Sequence, residues 1–136
     1  MSQENLEIVR RHLAALMSGT PQLALEHMHD DVEFDASTRP DGKIWHGRDG
    51  VREALEEWRE IWDEYRLELG ELIDADADTI VSLWWETGRA RQSGAVMSQE
   101  GITVFTLSGG LIASVLVSVD RKGVLPALGL PDRRGE

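Results

Sequence analysis

Asp35, His46, Glu100 and Asp120 are the side chains whose type and position could do acid/base chemistry in this 136-residue chain. Asp120 closes the second of two apolar strands joined by Ser108-Gly109-Gly110. A carboxylate at the end of a core strand either caps the next helix or works as a base in a pocket. Both readings stay open for Asp120. Glu100 shares a strand face with Ile102 and Val104, apolar company that raises a carboxyl pKa, although it also stands at the start of its strand. Asp35 falls on the polar side of its strand, and His46 lies in a short extended piece. They are the weaker candidates. Aromatic residues supply the second half of a site. The chain carries five tryptophans. Trp58 and Trp62, four apart, fall on the inward stripe of one predicted helix, facing Trp84 or Trp85 from a strand, with Phe34 nearby. Tryptophan fills a core poorly unless its N–H finds a partner. Such a cluster suggests a pocket for a flat apolar molecule; a bulky filled core is the alternative.

Other chemistries find little support. Cysteine is absent, which removes thiolate metal sites, disulfides and a cysteine nucleophile. Asp74-x-Asp76-x-Asp78 begins like a calcium loop, but Thr79 stands where glycine is needed and Trp85 where the closing glutamate is needed. It reads as a hairpin turn. Glu26-x-x-His29 has metal-pair spacing, yet only one copy is present and di-metal bundles need two. His12 reads as a boundary residue of the first helix. Nucleotide-binding glycine fingerprints and the Gly-x-Ser-x-Gly elbow are missing. We expect no cofactor and no metal.

Composition sets the class. Apolar residues make up 41% and charged residues 29%, the globular range. The net charge of −11 argues against nucleic acid and anionic membrane partners. The N-terminus starts acidic and amphipathic, unlike a secretory signal, and no apolar run is long enough to span a membrane. The expected compartment is the cytoplasm.

The elements that must position these residues follow from periodicity. Leu6, Val9, Leu13, Leu16 and Met17 predict a helix over about Gln3–Ser18. Thr20-Pro21 opens a second helix to about His29. Val32, Phe34 and Ala36 alternate with polar neighbours as a half-buried strand. Arg39-Pro40-Asp41-Gly42 is a turn by its chemistry. Val51, Leu55, Trp58 and Trp62 predict a third helix to about Tyr65. Four strands follow, at Arg66–Asp74, Asp78–Arg91, Met97–Leu107 and Leu111–Asp120. The second is apolar on both faces, which calls for helices on one side and another subunit on the other. The result is one α+β domain, 1–130, with three N-terminal helices on one face of a curved, mainly antiparallel sheet. Residues 131–136 form a frayed tail.

The order of these elements resembles the nuclear transport factor 2-like superfamily, and within it the SnoaL-like, polyketide-cyclase-type branch. Asp30-Asp31-Val32-Glu33-Phe34 resembles the segment leading into the first strand. Trp45-His46-Gly47-Arg48-Asp49-Gly50-Val51-Arg52-Glu53-Ala54 is similar to the glycine-bounded start of the third helix. Gly88-Arg89-Ala90-Arg91-Gln92-Ser93-Gly94 resembles the loop between central strands, and Asp120-x-x-Gly123-Val124-Leu125-x-x-Leu128-Gly129 the end of the domain. The resemblance implies a cone-shaped α+β barrel and a homodimer formed through the outer sheet face. It further implies a cofactor-free pocket for a small, ring-containing apolar molecule. In cyclases of this type a last-strand aspartate, matched by Asp120, removes a proton α to a carbonyl. Val115-Leu116 stand where such enzymes often carry His-Trp. Two functions follow: an acid/base cyclase or isomerase using Asp120, or a non-catalytic ligand-binding or dimerisation module.

Overall fold

The computed structural model describes residues 2–39 and 42–131. In chain order the elements are α1 (Ser2–Met17), α2 (Pro21–Glu26), β1 (Met28–Asp35), β2 (Ile44–His46) and α3 (Gly47–Ile61), followed by β3 (Trp62–Asp76), β4 (Thr79–Ala90), β5 (Val96–Ser108), β6 (Leu111–Ser118) and α4 (Arg121–Ala127). The six strands form one sheet in the order β2-β1-β6-β5-β4-β3. Among the described residues only the β1–β6 pair is parallel. The expected α+β class and curved, mainly antiparallel sheet are what the chain adopts.

Two boundaries move, and both matter for the site. α2 ends at Glu26, and His29 lies on β1, where its Nε2 donates to the Ser108 carbonyl at 2.8 Å. Glu26 and His29 therefore share no helix face. α3 ends at Ile61, and Trp62 already has extended backbone, with φ −109° and ψ 135°. The residues after it alternate: Tyr65, Leu67 and Leu69 lie opposite Gly88, Glu86 and Trp84. Period-two patterning wins over the apolar stripe that would have continued the helix. Pro40 and Asp41 of the expected turn lie outside the described residues; across them the Gly42 N–H donates to the Arg39 carbonyl at 2.8 Å. The three aspartates of 74–78 turn the β3–β4 hairpin, with the Asp78 N–H donating to Asp76 Oδ1 at 2.9 Å.

The sheet buries both faces. Inside, Val9 and Leu13 of α1, Leu25 of α2 and Val51 of α3 pack against Ile80, Phe105 and Ile112. Outside, Val81, Leu83, Ile102 and Val104 meet Leu125, which is fully buried. α4 therefore covers within the chain much of the face expected to await a partner. Among the described residues no helix is long and apolar enough to cross a membrane.

Candidate functional site

β4 carries the centre of the site because its inner face is unusual. Ile80, Ser82, Trp84 and Glu86 alternate inward, and all four are buried. A glutamate with no exposed surface must be paired. Glu86 accepts two hydrogen bonds from Arg39, from Nη1 at 3.0 Å and from Nη2 at 3.2 Å. It also accepts from the Tyr65 hydroxyl at 2.7 Å and from Gln99 Nε2 at 2.7 Å. The cross-strand register explains the last contact, because Gln99 of β5 stands directly opposite Glu86. Tyr65 comes from β3 and Arg39 from the β1–β2 connection. Although 38% of the Tyr65 surface stays exposed, its hydroxyl is tied to the buried carboxylate. Burial, and then the Glu86 charge, hold the Tyr65 phenol well above its ordinary pKa.

Aromatic rings enclose this network. The Arg39 guanidinium lies 4.1 Å from the Trp58 ring centroid and 5.5 Å from that of Trp84, within cation–π range. Trp58 meets Trp62 edge to face at 5.3 Å, and Trp62 stacks on Tyr65 at 6.0 Å. Trp84 lies flat over Gly101, its cross-strand partner, and donates from Nε1 to Thr103 Oγ1 at 2.8 Å. Only glycine leaves that room: a Cβ at Gly101 would come within 2.0 Å of the indole.

Between α1, α3 and the concave sheet lies a cavity of about 770 Å³. Trp58, Trp62, Trp84 and Phe34, all expected at a ring-binding site, line it. Trp85 is not among them. It points to the outer face, 42% exposed, with its Nε1 donating to Ser98 Oγ. His12 of α1 also lines the cavity. Its Nδ1–H donates to the Ala24 carbonyl at 2.9 Å, a bond that leaves Nε2 as the acceptor. Burial lowers its pKa to about 4; the Ala24 bond opposes the shift and the neighbouring His27 adds to it.

The acid/base candidates lie elsewhere. Asp120 is exposed and is the N-cap of α4, accepting from the Gly123 N–H at 3.1 Å. Its strand explains this placement. Val115 and Val117 of β6 line the cavity, so Leu116 and the residues in step with it point outward. Glu100 is half-buried on the outer face beside Trp85 and Arg121. Asp35 accepts from the Ser37 N–H and hydroxyl in its own turn. His46 is exposed at the N-cap position of α3. None of the four lines the cavity. The sequence does carry a signal for Glu86, which sits two residues after Trp84 on the inward face of the most apolar strand. No local signal marks Arg39 or Gln99.

The SnoaL-like domain model matches residues 9–115, most of the chain. The chain belongs to the SnoaL-like domain family. Similar solved structures share its fold. One is an NTF2-like protein from Burkholderia thailandensis E264, 22% identical, with TM-score 0.78, covering 93% of this chain and 98% of that one. Another is TerC co-crystallised with polyporic acid, 18% identical, with TM-score 0.73 and the same two coverages. A third is the soil-derived gene-cassette protein Bal32a, 18% identical, with TM-score 0.77, covering 88% of this chain and 92% of that one. Polyketide-cyclase-like proteins are also among the structural neighbours of this SnoaL-like domain. No functionally curated protein matches the sequence.

Proposed function

We propose that this SnoaL-like domain binds a small, flat, ring-containing molecule in the cavity between α1, α3 and the sheet. The observation that carries the proposal is the cavity itself. Its volume of about 770 Å³ falls within the usual range for small-molecule sites, about 300–1,000 Å³. Its walls include Phe34, Trp58, Trp62, Trp84, Phe105 and several aliphatic side chains, with the hydrogen-bonded group of Arg39, Tyr65 and Glu86 among its polar residues. That mixture suits a ligand held by ring contacts and oriented by a few hydrogen bonds. The fold neighbour TerC, crystallised with polyporic acid, is in keeping with a ring ligand.

Binding is favoured over acid/base catalysis by the state of the polar groups. Asp120 is spent as a helix cap, and Glu86 already takes four donors. A second copy of the chain on the outer face is part of the same proposal. Trp85 and Val96 remain exposed there, and sedimentation at varied concentration tests it.

The binding proposal is tested by quenching of the tryptophan fluorescence with a panel of aromatic and steroid-like compounds. Quenching should survive Trp85→Phe, which removes the outer indole. It should weaken at least several-fold in Trp58→Leu. No response from any compound, or quenching that disappears with Trp85, would overturn the proposal.

A further inference from the structure

Arg39 has hydrogen-bonding capacity that the other described residues do not use. A guanidinium has five N–H donors in one plane. Glu86 takes one from Nη1 and one from Nη2, an end-on pairing. The side edge of the plane, formed by Nε–H and the adjacent Nη–H, is a second fork of the same shape. Among the described residues that edge has no acceptor, and Arg39 lines the cavity. The guanidinium lies over the Trp58 ring and near that of Trp84, and its end is tied to Glu86. A fork held in this way is pre-organised for a second two-oxygen acceptor.

Charge points the same way. The chain carries −11, yet four cationic side chains line the cavity, Arg39, Lys43, Arg59 and Arg91, against the carboxylates of Glu57, Asp63 and Glu86. Arg39 and Glu86 neutralise each other, so a carboxylate is drawn by the single cationic excess of the lining and by the side-edge donors of Arg39, not by an unpaired charge on it. Resting on the ring-binding reading, we propose that the ligand is a ring carboxylate whose two oxygens dock on the free side edge of Arg39, with its rings against Trp58 and Trp84. Arg39 is then the residue that sets ligand orientation and selects acids over neutral rings.

The test compares three probes of one size by isothermal titration calorimetry: 2-naphthoate, 2-naphthamide and 2-naphthylmethylamine. A charge-assisted hydrogen bond is stronger than a neutral one by a factor of about two. The carboxylate should therefore bind roughly ten- to a hundred-fold tighter than the amide, and the amine should bind weakest. In the double variant R39Q/E86Q, which leaves no lone buried charge, the preference should fall to within about three-fold. D35N, outside the cavity, should keep it. Equal affinity for amide and carboxylate, or an undiminished preference in R39Q/E86Q, overturns this proposal while leaving ring binding intact. Binding of none of the three would overturn the ring-binding reading as well.

Discussion

Replacing Glu86 with glutamine tests the buried network more directly than any other change. The substitution keeps shape and volume but replaces one acceptor oxygen with an NH2 donor and removes the charge. Either amide orientation places that NH2 against a donor of Arg39, because Arg39 bonds both carboxylate oxygens, at 3.0 and 3.2 Å. One orientation also opposes Gln99 Nε2, now 2.7 Å from Oε2. Arg39 has only 12% of its side chain exposed and Glu86 none, so water compensates little. Breaking a buried pair by removing one partner costs about 3–5 kcal/mol; one lost Arg39 bond accounts for about 1.5–3 kcal/mol of it, and the lost charge assistance in the bonds that remain for the rest. For a domain of this length each kcal/mol lowers Tm by about 3–5 °C, so E86Q should melt roughly 10–20 °C lower. Urea unfolding should show the loss in the midpoint with little change in slope. The double variant R39M/E86L removes both charges and should recover at least about 2 kcal/mol relative to E86Q. If E86Q lies within about 1 kcal/mol of wild type, or the single costs of E86L and R39M simply add in the double, the pairing argument is wrong.

Gly101→Ala should destabilise by about 1–3 kcal/mol, because its Cβ forces the Trp84 indole off Thr103; the near-UV circular dichroism of the tryptophans should change with it, and an unchanged spectrum would count against this packing. His12 has a native pKa of about 4 against an ordinary 6.5. Its stabilising contribution is therefore complete above pH 6.5 and is lost as pH falls toward 4, by up to about 3 kcal/mol. H12Q should flatten unfolding free energy against pH over that window, and identical slopes in both proteins would refute the assignment. Asp120→Ala should cost about 1 kcal/mol through the lost α4 cap and leave ligand affinity unchanged, whereas an affinity loss of tenfold or more would bring Asp120 back to the site.

The fold was legible because its signals are local. Leu6, Val9, Leu13 and Leu16 mark a helix by spacing, and Thr20-Pro21 marks the start of the next. Ser108-Gly109-Gly110 marks a hairpin whose two last glycines have φ of 61° and 83°. The end of α3 was not legible, because Tyr65 satisfies both the helical stripe of Trp58 and Trp62 and the strand alternation with Leu67 and Leu69; pairing with β4, through a register shift between Trp62 and Glu64, decides between them. The ring-binding residues were partly legible, since bulky aromatics must lie inward somewhere. The charged centre was not. Arg39 sits in a polar turn by every local criterion and is buried only because Glu86, 47 positions away, needs a cation. Asp120 misled in the opposite sense: it ends a core strand, but in step with the outward residues.

A carboxylate that removes a proton needs a lone pair free to receive it. Glu86 offers about four lone-pair sites, and Arg39, Tyr65 and Gln99 occupy four. Protonating it would also leave the enclosed Arg39 without a counter-charge. Tyr65, with its pKa pushed up by burial and by Glu86, holds its proton at neutral pH. His12, with a pKa of about 4, is uncharged and only weakly basic. Tyr65 and His12 are thus each shifted away from neutrality, the opposite of the tuning that general acid/base catalysis uses. The consequence can be measured with 2-tetralone, a ring ketone with acidic α-hydrogens. In D2O at neutral pD, NMR should show its α-hydrogens exchanging no faster with the protein than with buffer of equal strength. Exchange accelerated a hundred-fold or more, and abolished by E86Q at ketone concentrations that saturate both proteins, would show that Glu86 gives up a donor when the ligand binds. The cavity would then be a catalytic one.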